Sequence, residues 1–87
     1  MKVEFRSSFA KDLKSIDKAL AERVQKAIGQ FEQAKSLTEI PNLKKLRGRG
    51  SHYRVRIGDY RLGFVVEGDT VELVRLLSRK DIYRYFP

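Results

Sequence analysis

Residues 52–66 read HYRVRIGDYRLGFVV, and this stretch decides the fold. It alternates apolar and polar residues on either side of Gly58-Asp59, as two strands joined by a tight turn do. Glycine supplies the positive φ that such a turn needs at its first central position. The turn pairs Ile57 with Tyr60, Val55 with Leu62 and Tyr53 with Phe64, and all of these share one apolar face. His52, Arg54 and Arg56 line the other face, with Arg61 directly opposite Arg56. Like charges opposed across a ladder are destabilising. An anion arriving later, a phosphate or an acidic partner protein, would relieve the opposition.

Working outward, Gly68-Asp69 reads as a second tight turn. It extends the hairpin to an antiparallel meander of three strands over residues 52–57, 60–67 and 70–77. Continuing the register pairs Val66 with Val71, Phe64 with Leu73 and Tyr60 with Leu77 on the apolar face. It also puts Arg75 on that face opposite Leu62, so either a bulge shifts the last strand or Arg75 snorkels out at the sheet end. The basic face then holds Arg54, Arg56, Arg61, Gly63, Val74 and Leu76, and Gly63 leaves a gap with room for a ligand.

Before the hairpin, residues 2–6 alternate like a short strand. Ser7 and Ser8 offer an N-cap, followed by Phe9, Leu13 and Ile16 at helical spacing. Asp17 is a second cap, ahead of Leu20, Val24, Ile28 and Phe31. The pattern predicts a helical hairpin over residues 8–15 and 18–34, packed on the apolar face of the sheet. Residues 36–51 read as a connector broken at Pro41, with Leu37, Ile40, Leu43 and Leu46 tacking it to the core. The chain ends SRKDIYRYFP, in which Ile82 and Phe86 pack a last helical turn. Arg79 and Tyr83 can swing toward the basic face. The fold class is α+β: a terminal strand joins the meander, and the helical hairpin covers one face.

Eighty-seven residues make one small domain spanning 1–87. The absence of cysteine excludes disulfides, thiolate zinc sites and cysteine nucleophiles. A single histidine cannot build a histidine metal cluster, and Glu67, Asp69 and Glu72 read as exposed acids at a hairpin tip. No metal or other cofactor is expected. The N-terminus carries no apolar run, so no membrane association is expected and the cytoplasm is the default compartment. Nineteen Lys plus Arg against 11 Asp plus Glu give a net charge of +8. The excess is uneven: Lys44, Lys45, Arg47, Arg49, Arg54 and Arg56 follow one another with no acid between. Such an excess points to nucleic acid, an acidic protein or an anionic surface.

The chemistry on offer is arginine, tyrosine and one histidine. That set can cleave RNA, whose 2′-hydroxyl is a built-in nucleophile beside the scissile phosphate. The protein needs only to align it, move two protons and stabilise the crowded phosphorane. Arginine grips phosphate oxygens in pairs and stays charged. The proton transfers then fall to Tyr83 or His52, or partly to the substrate and water.

These residues resemble the RelE/ParE superfamily of bacterial toxins. The likeness rests on a strand and two-helix hairpin followed by YRVRIGDYRL and a late SRKDIYR. It implies a toxin neutralised by a cognate antitoxin that carries an acidic or amphipathic segment. In the RelE branch it implies a ribosome-dependent, metal-independent messenger-RNA endonuclease. By that resemblance Arg54, Arg56, Arg61, Arg79 and Tyr83 are the catalytic set, while the basic run and the basic strand face offer Lys44, Lys45, Arg47, Arg49 and His52 as RNA contacts. Arginines stand where RelE itself has lysines on the first meander strand, and Ser78 stands where many relatives have histidine. The ParE branch, which poisons DNA gyrase without being an enzyme, shares the Gly-Asp-Tyr-Arg turn. The filled catalytic set and the basic run favour the nuclease.

Overall fold

A computed structural model describes residues 1–46 and 50–86. Strand β1 (Lys2–Phe5) leads into helices α1 (Ser7–Leu13) and α2 (Lys18–Gln33). A 3-10 turn (Leu37–Glu39) and strand β2 (Leu43–Lys45) follow. The meander is β3 (His52–Ile57), β4 (Tyr60–Glu67) and β5 (Thr70–Ser78), and α3 (Ile82–Tyr85) closes the chain. The strands form a five-stranded sheet in the order β1-β5-β4-β3-β2. The α+β class is as expected. The connector of residues 36–51, however, contributes a fifth strand, because Leu43–Lys45 pairs antiparallel with Tyr53–Val55. Three residues are too few for a period-2 signal, and the strand exists because β3 offers it an open edge.

The hairpin register is as read, including Arg56 opposite Arg61. Gly58 (φ 60°) and Gly68 (φ 58°) supply the positive φ at the two turns. A side chain at Gly58 would also meet Arg23, whose Nη1 lies 2.5 Å from the position of a Cβ there. Helix α2 starts at Asp17, which accepts a 2.8 Å hydrogen bond from the Leu20 N–H. Its Val24, Ala27 and Phe31 pack with Phe9 on Val55, Ile57, Leu62, Phe64, Val71, Leu73 and Leu76. Phe31 meets Phe64 edge-on at 4.8 Å, and Tyr53 stacks on Phe64 at 5.7 Å.

The last strand departs from simple alternation. Phe64 pairs with Leu73 and Gly63 with Arg75, so Val74 is the extra residue of a bulge. Beyond it Leu62 faces Leu76, Arg61 faces Leu77 and Tyr60 faces Ser78. The expected Tyr60–Leu77 pair is therefore shifted by one residue. Leu76 lies in the main core instead of on the basic face, while Leu77 packs on the cluster across the sheet.

Arg75 is resolved by the bulge and by an ion pair. Its Nε lies 2.9 Å from Asp12 Oδ2, and its Nη2 donates to Oδ1 at 3.3 Å. Asp12 Oδ2 also accepts the Leu76 N–H at 2.8 Å. Ser8 is not a helix cap: Arg6 takes the N-cap position, and Ser8 Oγ donates to the Val74 carbonyl at 2.6 Å. Strand β1 ends opposite Leu73, and beyond that point α1 side chains meet the β5 backbone in place of a neighbouring strand. Covering an edge in this way satisfies its polar groups. Asp12→Ala leaves both the Arg75 guanidinium and the Leu76 N–H without their partner. It is expected to lower stability by about 3 kcal/mol, read from the midpoint of urea unfolding. A loss under about 1 kcal/mol would show that water replaces the carboxylate.

Candidate functional site

The sheet face away from α1 and α2 carries Arg54 and Arg61 and a second apolar cluster. Leu46, Val74, Ile82 and Phe86 are buried there, with Val65 and Leu77 packed against them. Ile82 and Phe86 anchor α3 to the sheet, as expected. Gly63 does not leave a gap for a ligand. A Cβ built on it would lie 2.6 Å from the Phe86 ring, so the space is already filled by that ring. His52 lies beside the same ring, with centroids 5.5 Å apart.

Anchoring α3 brings Tyr83 to the first meander strand. Arg54 Nε donates to the Tyr83 hydroxyl oxygen at 3.1 Å, and Arg54 Nη1 donates to the Asn42 carbonyl at 3.1 Å. The guanidinium is held at two points and Tyr83 remains exposed. The Tyr83 hydroxyl is held below the ordinary tyrosine value of 10.0, first by the hydrogen bond from Arg54 and then by the charges of Arg54, Lys44 and Arg61. Cations stabilise the phenolate, and here they outweigh desolvation. Arg54 uses the hydroxyl oxygen as an acceptor, so the tyrosine proton is free to point outward.

Lys44 stands opposite Arg54 across the β2–β3 ladder and so shares its face. Lys45 stands opposite Tyr53 and shares the helix side, with Nζ 6.0 Å above the Tyr53 ring. The two lysines expected together are thus split by the pleat. Arg61 is half-buried. Its Nη1 donates to the Gly58 and Tyr60 carbonyls at 2.9 and 3.0 Å, folding the guanidinium onto its own turn. That contact gives Nη1 two backbone acceptors, while Arg61 Nε is buried with no hydrogen-bond partner among the described residues.

Arg56 is exposed at the sheet edge. Together with Arg23, Lys26 and Gln30 it lines a cavity of about 250 Å³ floored by Ala27, Val55 and Ile57. Arg79 is exposed just past β5, its backbone N–H donating to the Asp59 carbonyl at 2.8 Å. Arg47 and Arg49, also expected as RNA contacts, lie outside the described residues. Among the described residues, no group of three or more His, Cys, Asp or Glu forms a candidate metal site, and no helix is long and apolar enough to cross a membrane.

The Arg54 and Tyr83 side chains are legible in the sequence as members of a basic site, but their contact is not. Asn42 carries one legible signal, its place directly after Pro41 at a turn.

The fold and sequence have known counterparts. A family model described as the ParE toxin of the type II toxin–antitoxin system, parDE, matches residues 3–83. The chain is 41% identical to Toxin RelE3 of Methanocaldococcus jannaschii over 88 residues, covering 100% of both. It superposes on the solved RelB–RelE antitoxin–toxin complex of Methanococcus jannaschii with a TM-score of 0.82 and 38% identity, over 97% of this chain and 99% of that one. The archaeal RelE–RelB complex of Pyrococcus horikoshii OT3 matches with a TM-score of 0.75 and 28% identity, over 90% and 93%. With that full-length relative and a family match over nearly all of its residues, the chain belongs to the RelE/ParE superfamily of type II toxin–antitoxin toxins.

Proposed function

We propose that this toxin is a ribosome-dependent messenger-RNA endonuclease that needs no metal and uses the substrate 2′-hydroxyl as nucleophile. The observation that carries the reading is the Arg54–Tyr83 contact, an acidified hydroxyl set among cations with its proton free. In the reaction the 2′-oxygen bonds to the adjacent phosphorus and loses its proton. The bond from phosphorus to the 5′-oxygen breaks, and that oxygen takes up a proton. The products are a 2′,3′-cyclic phosphate and a free 5′-hydroxyl.

Tyr83 suits protonation of the leaving oxygen, since a lowered pKa makes it the stronger acid. Arg54, with Arg56, Arg61 and Arg79, holds the phosphate and stabilises the phosphorane charge. His52 and Lys44 extend the contact along the RNA backbone. Arg61 would have to release its turn carbonyls to reach the phosphate, a motion open to a long side chain.

The antitoxin is a protein with an acidic or amphipathic segment. The cavity rimmed by Arg23, Lys26 and Arg56 over an apolar floor suits such a segment by charge and shape. RelE relatives solved together with RelB support the pairing.

Brief induction followed by mapping of messenger-RNA 5′ ends tests the activity. New ends at fixed positions within codons are expected, on translated messages only. The family model named for ParE favours a second reading, in which the chain inhibits DNA gyrase without catalysis of its own. That reading expects double-strand DNA breaks and an SOS response with messages intact.

A further inference from the structure

We propose that Asn42 is a positioning residue for the Arg54–Tyr83 pair, acting through its backbone carbonyl. The inference rests on the nuclease reading for its consequence, though not for its geometry. Asn42 has φ 61°, and it is the one non-glycine residue with positive φ among those described. Side chains other than those of asparagine and aspartate rarely take this conformation, and a β-branched residue there is strained.

The turn lies at the mouth of β2, directly before Leu43, and it aims the Asn42 carbonyl back across β3. There the same oxygen accepts the Arg56 N–H at 3.2 Å and Arg54 Nη1 at 3.1 Å. The first bond extends the β2–β3 ladder by one step beyond the Leu43–Val55 pair. The second fixes the guanidinium at the end opposite the one that faces Tyr83. An arginine side chain has several rotatable bonds, and a single contact to an exposed tyrosine would leave it loose. Held by a backbone acceptor as well, its Nε–H is directed at the Tyr83 oxygen. The protein therefore orders the cation from a loop outside the meander, at a residue with no reactive side chain.

The test separates conformation from side-chain chemistry. Asn42→Gly keeps the left-handed turn and the carbonyl, while Asn42→Val forces the turn to another conformation. Ionisation of Tyr83 is read by ring-carbon NMR titration, with its signal assigned by Tyr83→Phe. Single-turnover cleavage on programmed ribosomes is measured alongside.

In Asn42→Val the Tyr83 pKa is expected to rise and the maximal cleavage rate to fall about 10-fold, with little change in apparent affinity. Asn42→Gly is expected to retain the wild-type values. If Asn42→Val does not fold, Asn42→Ala carries the same expectation with a smaller shift. An unshifted Tyr83 in a folded Val or Ala variant overturns the proposal, as does an equal shift in the glycine variant. Absent cleavage by the wild-type protein would sink the nuclease reading instead, and the Tyr83 titration alone would then decide Asn42's role.

Discussion

Replacing Arg54 with alanine is expected to slow messenger-RNA cleavage by about 100-fold or more and to return the Tyr83 hydroxyl toward the ordinary value of 10.0. Both effects have one cause. On the nuclease reading the guanidinium stabilises the charge that develops on the phosphate, and its Nε–H stabilises the Tyr83 phenolate.

The sign of the pH dependence follows. A general acid works in its protonated form, so wild-type cleavage should fall as pH rises through the lowered Tyr83 pKa. In Arg54→Ala that alkaline limb should move to higher pH, although the plateau is lower. Tyr83→Phe should remove the limb and cost about 100-fold in rate. Arg54→Lys should recover only part of the loss, because an ammonium cannot donate to Asn42 and Tyr83 from one planar fork. Folding should be little affected, since Tyr83 is exposed and surface pairs contribute about 0–1 kcal/mol. The decisive measurement is single-turnover cleavage across a pH series, with far-UV melting as the folding control. If Tyr83→Phe cleaves within about threefold of wild type, Tyr83 has no proton-transfer role.

Gly63→Ala should be damaging out of proportion to its size. A single methyl there would sit 2.6 Å from the Phe86 ring, well inside contact distance, and β4 is a central strand that cannot yield. The ring must leave. Phe86 is almost fully buried, and losing that burial costs about 2 kcal/mol. The larger consequence is for α3, which rests on Ile82 and Phe86. Freed on one side, α3 no longer presents Tyr83 to Arg54, and cleavage should fall by at least about 10-fold.

Phe86→Ala should produce the same loss from the other side of the contact. The double variant should then be no worse than Phe86→Ala alone, since the methyl would enter a space already vacated. Thermal melting and cleavage of the two single variants and the double variant would check this. Additive losses would show that Gly63 acts through something other than Phe86.

Much of the fold was legible because it rests on short-range rules. Alternation around Gly58-Asp59 and Gly68-Asp69 specified the meander, its turns and the opposition of Arg56 to Arg61. Helical spacing of Phe9, Val24 and Phe31 specified which stripe meets the sheet, and Asp17 marked where the second helix begins. Of the proposed site, the residue types and the shared face of His52, Arg54 and Arg56 could be read from period 2 alone.

What could not be read depends on groups far apart in the chain. The bulge at Val74 is stable because Ser8 and Asp12, more than 60 residues earlier, take up the β5 backbone and the Arg75 charge. No local pattern encodes that partner, so the register after Leu73 and the true face of Leu76 stayed hidden. Lys44 and Lys45 are adjacent in sequence but lie on opposite faces, because residues 43–45 became a strand only by pairing with β3. Gly63 read as space, since a missing side chain says nothing about which distant ring will fill it. The hairpin of residues 52–66 thus specified its own geometry and charge through neighbours a few residues away. The contact between Arg54 and Tyr83, the seat of Phe86 and the aim of the Asn42 carbonyl exist only once packing has brought three separate segments together.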